Sequence, residues 1–140
     1  MQGVSWSDPV KMGEFTLRNR VVMESMTRNR NDWDTGIAND LVVEYYTQRA
    51  SAGLICSEKA AICQRANSYP GTARLYLQEH AEGWKKVTQA VHERGGIIFV
   101  QLSHDGRKNH SKRTGGLEPW APSAITFPGK IKVEGEMVDY

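Results

Sequence analysis

Gly95-Gly96-Ile97-Ile98-Phe99-Val100-Gln101-Leu102-Ser103-His104-Asp105-Gly106-Arg107 is the stretch whose reading decides the fold. The two glycines stop a helix. The apolar run that follows has no polar alternation, which reads as a strand buried on both faces, the kind found in parallel sheets. It ends abruptly in Gln101, Ser103, His104 and Arg107. Polar groups at the carboxyl end of a buried parallel strand are where α/β folds put ligand sites. A strand tip entering a plain polar loop has the same composition, so this stretch alone leaves both readings open.

Upstream, residues Gln78 to Glu93 place Trp84, Val87, Thr88 and Val91 on one face of a helix, with Glu82 and Lys86 one turn apart on the other. Before it, Leu54-Ile55-Cys56-Ser57-Glu58 reads as a second strand, followed by a long loop from Lys59 to Leu77 around Tyr69-Pro70-Gly71. Loops this long in compact domains are often functional. Asn39 or Asp40 caps an earlier helix. Leu41, Val42, Tyr45 and Tyr46 share one face of it, and it ends by Gly53, where a left-handed cap is easy. Val21-Val22-Met23 is the first strand of the series, and Ser7 to Asn19 reads as a short hairpin. Downstream, His110 to Tyr140 is rich in Gly, Pro, Lys and Glu. It predicts no helix and only weak strands near Ile125-Thr126-Phe127 and Ile131-Lys132-Val133. The alternation β-α-β-α-β argues an α/β fold with parallel strands.

Composition narrows the function classes. The chain has 140 residues, 39% of them hydrophobic, enough for one domain with a real core. The formal net charge is only +2 and the charges are interspersed, which gives no nucleic-acid footprint. The densest basic patch, Arg107, Lys108, Lys112 and Arg113, reads as a solvated loop in preference to a phosphate site. No stretch approaches the roughly 18 apolar residues of a membrane span, and Met1 to Val10 has no apolar signal core, so a cytoplasmic protein is expected. Cys56 and Cys63 fit no metal or redox spacing, and His104 and His110 add no zinc pattern.

Gln101-Leu102-Ser103-His104-Asp105-Gly106-Arg107 resembles the Q-L-W-H-x-G-R block of the Old Yellow Enzyme family, the FMN-dependent NAD(P)H ene-reductases. Three further blocks resemble the family in the same order. They are Leu17 to Met23 running into Met26-Thr27-Arg28, then Asn39 to Ile55, then Tyr69-Pro70-Gly71-Thr72. The resemblance implies a (β/α)8 TIM barrel, which typically needs about 250 residues. Roughly the first three βα units are then expected, with an N-terminal hairpin closing the barrel bottom and a long C-terminal loop segment. It also implies FMN as cofactor, NAD(P)H as reductant and an enone or enal as small-molecule substrate.

By the same resemblance, Ser25, Met26, Thr27, Lys59 and Gln101 lie at the cofactor, and Tyr69 and Ser103 line the substrate pocket. Gln101 corresponds to the amide that pairs with the flavin pyrimidine ring, a task suited to a group that both donates and accepts. Thr27 corresponds to the hydroxyl near flavin O4, and Met26 packs beside the ring. Departures stand beside these matches. Glu24-Ser25 replaces the usual Ala-Pro, Lys59 a small residue that lets backbone approach the flavin, Ser103 a tryptophan, and Asp105 a small or apolar residue. Lys59 obstructs the site, turns outward or, where it reaches the ring, favours reduced flavin through its charge.

The family's substrate-binding pair, its proton-donating tyrosine and its phosphate loop belong to later strands, so no catalytic residue and no metal site is assigned in this chain. His104 is not the family's substrate histidine. A truncated product, a chain completed by a second one and a fragment of a longer sequence are all consistent with the length. A three-strand piece would expose Val22, Ile55, Phe99 and Leu102 and two sheet edges, favouring a complementing chain or self-association. The alternative function is a remnant or interaction module that binds no flavin.

Overall fold

The computed structural model describes residues 3–67 and 69–140; Met1, Gln2 and Ser68 lie outside them. Strands β1 (Val10–Met12) and β2 (Phe15–Leu17) form an antiparallel hairpin. Then β3 (Val22–Met23), α1 (Asp40–Thr47), β4 (Leu54–Ala61), α2 (Gln78–Glu93) and β5 (Ile98–Ser103) alternate, and the three strands form one parallel sheet in the order β3-β4-β5. Two short 3-10 turns, Gly106–Lys108 and Ser111–Arg113, and a second hairpin, β6 (Lys130–Val133) with β7 (Glu136–Asp139), complete the chain. The predicted β-α-β-α-β series is present, with three parallel strands and two crossover helices among the described residues.

Register explains which residues pack where. In a parallel pair, side-by-side residues share a face. Met23 pairs with Ile55, and Ile55 with Ile98, so these three lie under the helices. There they meet Val42 and Tyr46 of α1 and Trp84, Val87 and Val91 of α2. The Tyr46 and Trp84 rings lie 6.1 Å apart, and the two valines of α2 are fully buried. Each contributes about 1.5–3 kcal/mol. Asn39 caps α1, its side-chain oxygen accepting from the Val42 N–H at 3.3 Å. Buried His80 ties the start of α2 to the loop before α1. Its Nδ1 accepts from the Leu77 N–H, so Nε2 carries the proton and donates to the Thr35 carbonyl at 3.0 Å.

Several expectations need correction. Leu41 does not share the buried face of α1; it is exposed, because the two helices cover only the Val42–Tyr46 side. The second strand runs on to Ala61, so Lys59 is a strand residue and the following loop starts after Ala61. Residues 125–127 are not a strand; the C-terminal pairing is the β6–β7 hairpin. The β5 run is not buried on both faces: Phe99, Val100 and Leu102 are exposed, Leu102 at 61%. Val22 and Phe99 lie on the face away from the helices, as expected for inward residues. Ile55 lies on the helix side, completely buried, and Leu102 shares that side, beyond the reach of α2.

The two glycine signals differ in kind. Gly95 has φ +68°, and the N–H groups of Gly95 and Gly96 close the end of α2 on the carbonyls of His92 and Val91. Gly53 takes no left-handed conformation, contrary to the cap expectation. It is required by space, since a Cβ there would come within 2.1 Å of the Asn19 carbonyl oxygen. The β1–β2 hairpin is fixed to the base of the sheet by Phe15 edge-on to Phe99 at 5.5 Å and by Arg18 donating to the carbonyls of Arg94 and Gly95.

Replacing Gly53 by Ala should therefore push the hairpin connection off β4. We expect a loss of at least about 2 kcal/mol, the scale of a backbone clash in a packed site. Thermal unfolding of Gly53→Ala checks it; an unchanged melting temperature would show that the connection can yield.

Candidate functional site

One irregularity in the sheet builds the site. Cys56 pairs with Phe99, but the next paired residues are Lys59 and Gln101, so Ser57 and Glu58 of β4 oppose the single residue Val100. This is a β-bulge, which re-aims every side chain beyond it. Without it Lys59 would point to the helix side. With it, Lys59 returns to the face away from the helices, beside Gln101. The Ser57 hydroxyl holds the bulge, donating to the Glu58 carbonyl at 2.8 Å and accepting from the Gln101 N–H at 3.3 Å.

Glu58 is fully buried under the helices. Its backbone N–H donates to the Tyr46 hydroxyl at 2.6 Å, and its carboxylate accepts from the Arg28 N–H at 2.9 Å and the Asn31 amide at 3.2 Å. Loss of water pushes the Glu58 carboxyl above its usual range, and burial likewise raises the Tyr46 hydroxyl. Glu58 thereby anchors the segment after β3, which carries Ser25, Met26 and Thr27.

The structure brings three of the predicted cofactor residues together. The Ser25 hydroxyl donates to Gln101 Oε1 at 2.6 Å, and Gln101 is the register neighbour of Lys59. That bond leaves the Gln101 side-chain N–H₂ as a donor with no partner among the described residues. Lys59 lies on the Gln101 face of the sheet and is partly buried. Its ammonium is held by both carboxylate oxygens of Asp105, at 2.6 and 2.7 Å. Two departures from the family pattern, Lys59 and Asp105, therefore compensate each other. Thr27 and Glu24 are exposed. Met26 is not in this cluster: it lines a groove at the free side of β3 with Met23 and Ala52. Ser103 ends β5 beside Ala61.

Tyr69 belongs to a second assembly at the same end of the sheet. Loops after β3, β4 and β5 converge there on a cleft of about 490 Å³, with Trp33, Tyr69, Arg74, Arg113 and Lys132 in its walls. The Gly71 N–H donates to the Trp33 carbonyl at 3.1 Å. Buried Asn109 donates to the carbonyls of Arg65 and Asn67, at 3.0 and 2.6 Å, tying the β5 loop to the β4 loop. The Arg113 guanidinium stacks 4.1 Å from the centre of the Tyr69 ring. Of the patch expected as a solvated loop, Lys108 and Lys112 are exposed, while Arg113 lies on Tyr69 and Lys108 over Phe127. Arg74, Asn109 and Glu58 are site-building residues that the sequence reading missed. The single available signal was the position of Glu58 at a predicted strand tip. Among the described residues no group of three or more metal-ligating side chains exists, and no helix is long and apolar enough to cross a membrane.

Residues 7–138 match the NADH:flavin oxidoreductase / NADH oxidase family. The chain belongs to that family. Among curated relatives, it is 44% identical over 126 residues to the flavin oxidoreductase hxnT of Emericella nidulans, covering 87% of this chain and 32% of that protein. It is 35% identical over 130 residues to 12-oxophytodienoate reductase 2 of Arabidopsis thaliana, covering 92% and 33%. The old yellow enzyme homologue from Zymomonas mobilis superposes with a TM-score of 0.89 at 40% identity, covering 98% of this chain and 38% of that one. These Old Yellow Enzyme relatives support the family resemblance seen in the four sequence blocks. The chain spans about a third of the length of the curated relatives it matches.

The buried Glu58 generates a pH prediction. Its native pKa lies above the ordinary value of 4.5, so the unfolded chain ionises first as pH rises. Its favourable share of stability is complete below that value and is lost as pH climbs through the raised native value. Denaturant unfolding of the wild type and Glu58→Gln across about pH 4–8 should show the wild type losing ground to the variant as pH rises. A difference that stays flat with pH would rule this out.

Proposed function

We propose that this chain carries the pyrimidine-side part of an FMN site in an NAD(P)H-dependent oxidoreductase acting on activated C=C bonds of α,β-unsaturated carbonyl compounds. The observation that carries the reading is the Ser25–Gln101 contact beside Lys59, at the carboxyl ends of parallel strands, where such folds bind ligands. A bound FMN would supply two-electron transfer between a reduced nicotinamide and the activated double bond.

The donor set fits that group. Gln101 offers its amide N–H₂ to a ring carbonyl, with the side chain oriented by the Ser25 hydroxyl. Lys59 brings an ammonium donor to the same edge, and the paired Asp105 carboxylate fixes where it sits and offsets its charge. Thr27 supplies a hydroxyl within the same short segment. Tyr69 and Ser103 belong to the substrate wall in this reading, with the Arg113 guanidinium over the Tyr69 ring. No residue of this chain is assigned the proton transfer to carbon.

A second reading rests on the exposed apolar surface of β5. Val100 and Leu102 on the helix side are uncovered at a strand whose edge is free among the described residues. Such surfaces associate with another chain, a complementing segment or a second copy.

Two measurements follow. After FMN is added to the purified full chain and free ligand removed, we expect a retained, shifted flavin band. Gln101→Ala should weaken retention about tenfold, the loss of one well-placed hydrogen bond in a shielded site. A colourless protein would overturn the cofactor reading. Separately, sedimentation should find the wild type associated and Leu102→Lys shifted toward monomer; a monodisperse wild-type monomer would reject the association reading.

A further inference from the structure

The structure assigns the cleft between Tyr69 and the β6–β7 hairpin as a binding site for a small flat organic anion, a carboxylate or a phosphate ester. Three observations carry it, and none involves the Ser25–Gln101–Lys59 cluster. Four cationic side chains line the cleft, Arg74, Lys112, Arg113 and Lys132, against two carboxylates, Asp34 and Glu134. The ion pair found among the described residues is Lys59–Asp105, on other elements, so none of these four cations is neutralised by an ion pair.

Two guanidinium nitrogens are also buried with no hydrogen-bond partner among the described residues, Nε of Arg74 and Nη1 of Arg113. A buried charged donor left unmatched is costly, and such groups mark where an acceptor belongs. Arg113 is held for that task. Its guanidinium carbon lies 4.1 Å from the centre of the Tyr69 ring, and Nη2 donates to the Lys132 carbonyl, leaving Nη1 over. A planar fork so fixed suits the two oxygens of an acid group.

The third observation is the shape of the walls. Tyr69 and Trp33 supply aromatic surface on one side, and the cleft, at about 490 Å³, is in the range of small-molecule sites. Asn67 Oδ1, buried and unpartnered at the same cleft, adds an acceptor, so a hydroxyl next to the acid group would be matched too. The ligand is therefore an acid with an aromatic or otherwise flat body. Its charge comes either from a carboxylated substrate or from a coenzyme phosphate.

The test is a fluorescence titration of the full chain without flavin, so it stands or falls separately from the cofactor reading. The probes are benzoate, adenosine 2′-phosphate and inorganic phosphate, with Trp33→Phe identifying the reporting indole. We expect saturable binding of an organic anion that inorganic phosphate competes for, weakened about tenfold or more in Arg113→Gln and in Arg74→Gln. Lys108→Gln, outside the cleft, should bind as the wild type does. Tighter benzoate identifies a carboxylate ligand, and tighter adenosine 2′-phosphate a coenzyme phosphate. Absence of saturation by either, or equal affinity in Arg113→Gln, overturns the proposal. Circular dichroism checks each variant's fold; Arg113, on a surface turn, decides alone if Arg74→Gln does not fold.

Discussion

The buried carboxylate of Glu58 is the constraint on which the site end of this molecule depends. An ionisable group with no exposure survives only when its oxygens are matched, and here the matching groups come from a different segment, the backbone of Arg28 and the amide of Asn31. The cost of burial thus fixes the path of the chain after β3. Removing the carboxylate would leave two donors without acceptors, and the segment bearing Ser25 and Thr27 would lose its anchor. The Tyr46 hydroxyl extends the same node into α1, so helix, strand and loop are held at one point.

The bulge and the buried glutamate are two aspects of one arrangement. The extra residue in β4 lets Glu58 face the helices while its neighbour Lys59 faces the other way, beside Gln101. A regular strand also alternates, but it would leave both residues one step out of phase with β5. Lys59 would then lie on the helix side beside Leu102, and Glu58 beside Gln101. The Lys59–Asp105 ion pair depends on this phase shift, because Asp105 follows β5 on the side that Gln101 occupies.

The sequence made the framework legible because glycine pairs, apolar runs and helical spacing act locally. Gly95-Gly96 ends α2 by local backbone geometry, and Trp84, Val87 and Val91 fall on one side of a 3.6-residue period. The hairpin at Val10–Leu17 and the alternation through β5 followed from the same kind of signal. What could not be read was set by contacts across the chain. The bulge depends on Ser57 meeting Gln101, 44 residues away. The role of Asn109 depends on carbonyls more than 40 residues upstream, at Arg65 and Asn67. Gly53 looked like a cap because local rules offer that explanation first; the Asn19 carbonyl against it is a tertiary fact. Lys59 was recognised as a departure, but its partner Asp105 was read as a separate one.

The misreading of β5 as a strand buried on both faces has an instructive cause. Its helix-side residues, Ile98, Val100 and Leu102, are all apolar, so half of the expected alternation is apolar throughout. The opposite side changes character along its length, from Phe99 at the hairpin end to Gln101 and Ser103 at the site end. Alternation is therefore absent over the first half of the strand and present over the second. The same gradient runs across the sheet, from Val22 and Leu54 near the base to Lys59 near the top. An apolar base packs against the β1–β2 hairpin, whereas the top carries polar groups held to one another, Ser25 to Gln101 and Lys59 to Asp105. A strand whose one face turns from apolar to polar in two residues marks where packing stops and chemistry begins. That change, rather than the length of the apolar run, is the part of this sequence that points to function.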